Sequence, residues 1–199
     1  MGTESPLTVT QMLWVNLIMD TFAAMALASL PPSEKVMKDC PRDRNAFIIN
    51  RSMGWNIIGV GGFFFVLLLV LLYIFEHADI IALRDLLHLQ LGEVNGLSPY
   101  ELTLIFTIFV MTHFFYLFNA RAFETGRNAL HFKGCRGLLF IISIIFIGQI
   151  AMVELPILQK FFNIVKGGLS VEDWAIILIG SSLVLWVREA WHLIKSSKG

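Results

Sequence analysis

Charge and cysteine are what this chain has least of. Charged residues are 15% of its 199 residues, against about a quarter in an average soluble domain, and acids and bases balance to a formal net charge of +0. With no excess of either sign, and with its charges confined to short connecting stretches, the chain offers no basic stripe for phosphate, which excludes nucleic acid as a partner. Its two cysteines, Cys40 and Cys135, lie far apart in polar stretches without CxxC or Cys/His spacing. That pattern excludes a disulfide framework and a Cys/His metal cluster, and reads as two free cytosolic thiols. A GxxxxGK phosphate cradle is missing too. The glycines Gly59, Gly61 and Gly62 sit inside an apolar run and read as a close-packing patch between helices.

What fills the chain instead is apolar: 56% of residues are hydrophobic and the mean hydropathy is +0.72. Five runs reach the roughly 20 residues that a bilayer crossing needs: Val9 to Leu30, Met53 to Phe75, Tyr100 to Asn119, Gly137 to Leu155 and Trp174 to Leu193. They are about twice as long as barrel strands and do not alternate with period two, so each reads as a helix. Pro6 and the Pro31-Pro32 pair flank the first run, where proline is tolerated. The expected fold is therefore all-α, a polytopic membrane bundle of five helices.

Charge in the connections orients it. Lys35, Lys38, Arg42, Arg44 and Arg51 follow the first run, Arg121, Arg127, Lys133 and Arg136 follow the third, and Arg188, Lys195 and Lys198 close the chain. The opposite side holds only Arg84, Lys160 and Lys166. Twelve cations against three place the first group, and the C-terminus, in the cytoplasm. The N-terminus is then outside, behind a short polar leader and no signal peptide, which points to a piece of a longer chain whose preceding helices are absent.

Within the first run, Asn16-Leu17-Ile18-Met19-Asp20 sets a carboxamide and a carboxylate one helical turn apart. A charge at membrane depth costs about 3 kcal/mol on insertion scales and marks an ion or proton path by default. Continuing the i+4 row reaches Ala24 and Ala28, so the polar face is also a small-residue face, expected to look into the bundle. Carboxylate and carboxamide oxygens suit a hard cation such as calcium, whose six to eight oxygens two side chains cannot complete. Other polar residues at depth are Thr107, Thr112, His113, Asn119, Ser143, Gln149, Ser181 and Ser182. Most read as interhelical hydrogen-bond partners; the imidazole of His113 adds a proton carrier. Glu154 and Glu189 read as interfacial and structural, and Trp186 and Trp191 as anchors of the last helix.

The run from Pro6-Leu7-Thr8 through Gln11-Met12-Leu13-Trp14-Val15-Asn16-Leu17-Ile18-Met19-Asp20-Thr21-Phe22, with Ala26-Leu27-Ala28 and Pro31-Pro32 after it, closely resembles the sixth membrane helix of plasma-membrane-type calcium P-type ATPases. The order of segments and loop charges extends the resemblance over essentially the whole chain, as helices six to ten of ten. It implies that Asn16 and Asp20 are metal ligands of a transported calcium ion, with the rest of the site on the fourth and fifth helices, which are absent here. Related sarcoplasmic-reticulum pumps hold a second calcium with a Thr before the Asp and a Glu on the eighth helix. Met19 stands at the first place and His113 at the second, which implies one calcium per cycle and leaves His113 as an accessory or proton site. ATP and magnesium belong, by the same resemblance, to the missing domains, because the 199 residues contain no Asp-Lys-Thr-Gly-Thr phosphorylation motif. The implied partners are the lipid bilayer, calcium and the missing N-terminal part of the pump, at the plasma membrane. The alternative is a stand-alone five-helix membrane protein, a small ion carrier or an assembly scaffold, derived from such a pump.

Overall fold

The computed structural model describes residues 7–29, 47, 49–78, 80, 83–84, 92, 96–122 and 136–196; of residues 19, 20, 189 and 191–196 it describes the backbone alone. The cysteines and seven of the fifteen orienting cations lie outside the described residues. So do the side chains of Glu189 and Trp191.

Every regular element among the described residues is helical. In chain order they are α1 (Val9–Asn16), a π-helical segment (Leu17–Phe22), α2 (Ala23–Ala28), α3 (Arg51–His77), α4 (Pro99–Arg121), α5 (Arg136–Glu154), α6 (Pro156–Phe162) and α7 (Val171–Ser196). Three of them, α3, α4 and α5, are long and apolar enough to cross a membrane. They coincide with three of the expected runs. The first run forms a helix in three pieces, and the last lies within α7.

The helix starts are set by short-range chemistry. Thr8 and Gln11 form a capping box, as do Ser98 and Glu101, while Asn50 Oδ1 accepts the Met53 N–H. Pro99 and Pro156 stand in the first turns of α4 and α6, where a missing N–H costs nothing. Pro156 also ends α5, because the residue before a proline is driven out of the helical region and Leu155 is extended (φ −83°, ψ 123°). The short α6 that follows was not expected; the stretch after Leu155 reads from sequence as a plain external connection. It stops at Asn163, in the left-handed region (φ 54°, ψ 48°).

α4 is the hub. Its Leu104, Ile105, Phe106 and Met111 are fully buried, with α7, α5 and α3 packed around them. The first helical run lies on the far side of α5, against which α2 and the π segment pack, while α1 meets α6. α3 is the peripheral helix, with only Phe64 and Phe75 buried. Its Gly59, Gly61 and Gly62 are exposed, and a β-carbon at any of them would meet nothing within 4 Å. The close-packing reading of that patch thus finds no close neighbour among the described residues.

Side chains fasten the bundle at the end where α4 and α7 begin. Glu101 is buried and accepts the Ile80 and Ser98 N–H groups through its two oxygens, at 3.3 and 2.7 Å. Asp173, also buried, accepts from Leu83 N–H at 3.3 Å and from Ser170 N–H at 3.0 Å. Glu154 Oε1 accepts the Trp174 indole N–H at 2.7 Å and the Leu169 N–H at 3.3 Å. Gly168 (φ +73°) lies so close that a β-carbon there would run into the Glu154 carboxylate. The structural reading of Glu154 holds.

Candidate functional site

The polar pair of the first run sits where the helix changes its hydrogen-bond step. Ala23 N–H bonds to Ile18 O, five residues back, instead of the four of an α-helix. The dihedrals stay close to α-helical on both sides, Asn16 at φ −61°, ψ −41° and Ala23 at φ −66°, ψ −41°. The run is therefore one continuous helix with a widened turn, not a broken one. Asn16 is the last residue of α1 and Asp20 lies inside the π segment. Such turns are rare and concentrate at functional sites.

Anchors on both sides of that turn hold it to α5. On the N-terminal side, Trp14 Nε1 donates to Gln149 Oε1 at 2.9 Å, and its ring lies against Gly148, where a β-carbon would come within 3.1 Å of Cη2. The Trp14 ring also meets Phe162 edge-on at 5.8 Å, and Gln11 Nε2 donates to Phe162 O at 3.0 Å. On the C-terminal side, Ala26 is fully buried and Ser29 lies over Gly137. Gly137 and Gly148 are 11 residues apart, about three helical turns, and so lie on one face of α5. Two glycines and one glutamine thus seat the site helix without covering its other side.

That other side is where Asn16 points. Asn16, Thr21, Ala24 and Ala28 are all exposed, while Gln11, Ile18, Ala23 and Ala26 are buried. Of the expected row, Asn16, Ala24 and Ala28 face away from α5, and the Asp20 side chain lies outside the described residues. The π turn and the Trp14–Gln149 contact set which face of the run meets α5. Among the described residues, no three His, Cys, Asp or Glu side chains converge as a metal site.

His113 is elsewhere. Its ring stacks on Phe64 of α3 with centroids 3.7 Å apart, touches Phe109 at 4.3 Å, and Nδ1 bonds to Phe109 O at 2.9 Å. The remaining polar residues divide in two. Thr112 bonds to Ser181 across α4 and α7 at 3.4 Å, Asn119 Nδ2 donates to Val184 O at 2.9 Å, and Gln149 holds Trp14. Thr107, Ser143 and Ser182 turn back on their own helices, to Thr103, Leu139 and Ile179 carbonyls. Sequence reasoning passed over Glu101, Asp173 and the Trp14–Gly148 contact. The first two carry a signal, Ser98-x-x-Glu101 and Ser170-x-x-Asp173; the third has none, because a glycine does not name what approaches it.

The fold and its polar helix define a multi-pass membrane helix bundle. Residues 4–194 match the family described as "Cation transporting ATPase, C-terminus", and the chain belongs to that family. It is 35% identical over 186 residues to "Plasma membrane calcium-transporting ATPase 4" of Bos taurus, covering 92% of this chain and 15% of that protein. To "Plasma membrane calcium-transporting ATPase 2" of Oreochromis mossambicus it is 37% identical over 188 residues, 92% of this chain and 16% of that one. "Calcium-transporting ATPase PAT1" of Dictyostelium discoideum is 41% identical over 128 residues, 62% of this chain and 11% of that one. The chain thus spans less than a fifth of the length of each of these relatives.

Proposed function

We propose that this chain is the C-terminal membrane part of a calcium-translocating P-type ATPase of the plasma membrane, and that Asn16 and Asp20 are ligands of the transported ion. Five helices cross the bilayer in this reading, the first as α1, the π segment and α2 together and the last as α7, with the N-terminus outside and the C-terminus in the cytoplasm. ATP and magnesium are handled by domains outside these residues. The observation that carries the reading is the exposed Asn16 at the edge of a π turn whose opposite face is fastened to α5. A polar group on an uncovered helix face at membrane depth calls for a further membrane segment to lie against it, and calcium calls for more oxygens than this face supplies. The similarity to calcium-transporting relatives supports the choice of ion.

His113 serves in this proposal as an accessory group on α4, one whose stacking on Phe64 sets it apart from the ion ligands. The test is Asp20→Asn in the intact pump. Calcium-dependent phosphorylation by ATP is expected to disappear; phosphorylation at the wild-type calcium concentration would remove Asp20 from the site.

A further inference from the structure

Gln149 of α5 is fully buried, and stability does not account for it. Its Oε1 accepts the Trp14 indole N–H at 2.9 Å, while its Nε2 is buried without a partner. Turning the amide over is no remedy, because an indole nitrogen only donates and must face the oxygen. A buried donor left unpaired costs as much as, or more than, one hydrogen bond between membrane helices returns. Methionine, an unbranched side chain of similar size, would fill the space with no polar atom to satisfy. What glutamine adds over methionine here is direction.

Direction matters because of where Trp14 stands. Its other contacts are apolar, edge-on to Phe162 at 5.8 Å and against the open surface of Gly148. Such contacts are non-directional, whereas a hydrogen bond prefers a narrow range of angles. The other directed bond on this side, from Gln11 to Phe162 O, goes to the short α6 and stands further from Asn16 along the helix. Asn16 lies two residues beyond Trp14 in α1, about 200° round a helix of 3.6 residues per turn, so the indole grips α5 almost directly behind the carboxamide. A side-chain oxygen sits about 5 Å from the helix axis, and a turn of about 10° moves it about 1 Å. Calcium takes its oxygens between about 2.3 and 2.6 Å. A few degrees of rotation therefore decide whether a ligand on this helix reaches the ion.

We infer that Gln149 is a positioning residue of the ion site: through the Trp14 indole it fixes the rotation of the site helix and thereby sets calcium affinity. The inference rests on the reading of Asn16 and Asp20 as ligands, and adds to it a residue of another helix whose own oxygen is given to the indole and not to the ion.

The intact pump provides the test, with phosphorylation by ATP followed as calcium is raised. Gln149→Met removes the acceptor and the orphaned donor together. It is expected to keep the thermal midpoint and the maximal phosphorylation of the wild type and to need about tenfold more calcium for half of that maximum, the lower end of what losing an outer partner costs a metal site. Trp14→Phe removes the same bond from its other end and is expected to raise the half-saturating calcium concentration alike. The two substitutions together are expected to raise it no further than either alone, because a single bond is being removed. Trp174→Phe is the matched comparison. It takes the same kind of indole donor from Glu154 Oε1, away from the site helix, and is expected to leave half-saturation where it was. An unchanged half-saturating concentration in Gln149→Met overturns the inference, as does an equal rise in Trp174→Phe or a double variant in which the two rises multiply. A lowered thermal midpoint in Gln149→Met makes the contact structural and overturns it too. Asp20→Asn tells this failure from that of the ligand reading: if it abolishes phosphorylation while Gln149→Met leaves calcium affinity unchanged, Gln149 alone loses its role, and if it leaves phosphorylation intact the ligand reading itself falls.

Discussion

Trp14 joins three elements through one side chain, and its replacement separates its polar role from its packing. Trp14→Phe keeps a ring against Gly148 and Phe162 but removes the donor to Gln149 Oε1. Gln149 Nε2 is already buried without a partner, so the substitution leaves the whole amide unpaired. A loss of about 1 kcal/mol is expected, in the range measured for hydrogen bonds between membrane helices, and denaturant unfolding in detergent reads it. Gly148→Ala acts on the same contact by volume. A methyl group where the indole stands is expected to cost about 1–3 kcal/mol as overpacking, and more than Gly59→Ala or Gly180→Ala, whose added carbon enters open space. Much at this scale was legible in the chain. Asn16 and Asp20 stand out by chemistry, and Gln149 and Asn119 do serve as interhelical partners. Which side of the first helix is covered was not legible, because it depends on a glycine of α5 that accepts an indole and on a helical step that the i+4 rule does not anticipate.

The site helix is the element whose geometry matters most. Deleting Ile18 would turn the π segment into ordinary α-helix and rotate one end against the other by about 100°, one residue's share of a 3.6-residue turn. The Trp14 and Ala26 anchors could then no longer both face α5. The expected result is unchanged far-ultraviolet circular dichroism with loss of calcium-dependent phosphorylation in the intact pump; retained phosphorylation would mean that the widened turn has no part in the site. Helices α3, α4 and α5 follow the hydropathy closely, since length and composition suffice to define an apolar helix. The seven-residue α6 escaped because it is too short for a periodic signal, and Pro156 opens it as readily as it would open a loop.

At the scale of the molecule, the proposed orientation, drawn from the charge distribution, has a direct check. A membrane-impermeant thiol reagent applied to sealed cells should leave native Cys40 and Cys135 unmodified and label a Lys166→Cys variant from outside; the reverse pattern would invert the orientation. In the proposed orientation, three acids at the end where α4 and α7 begin, two of them buried, face the outer side. Glu101, Glu154 and Asp173 hold their oxygens against backbone N–H groups and an indole, in bonds of 2.7 to 3.3 Å. A carboxylate so occupied has little to offer a passing cation, and prying it loose would unfasten the loops it holds. If the proposed function and orientation hold, these three acids would form an exit wall with little tendency to recapture calcium, and their fixation would keep external calcium from prising the loops apart.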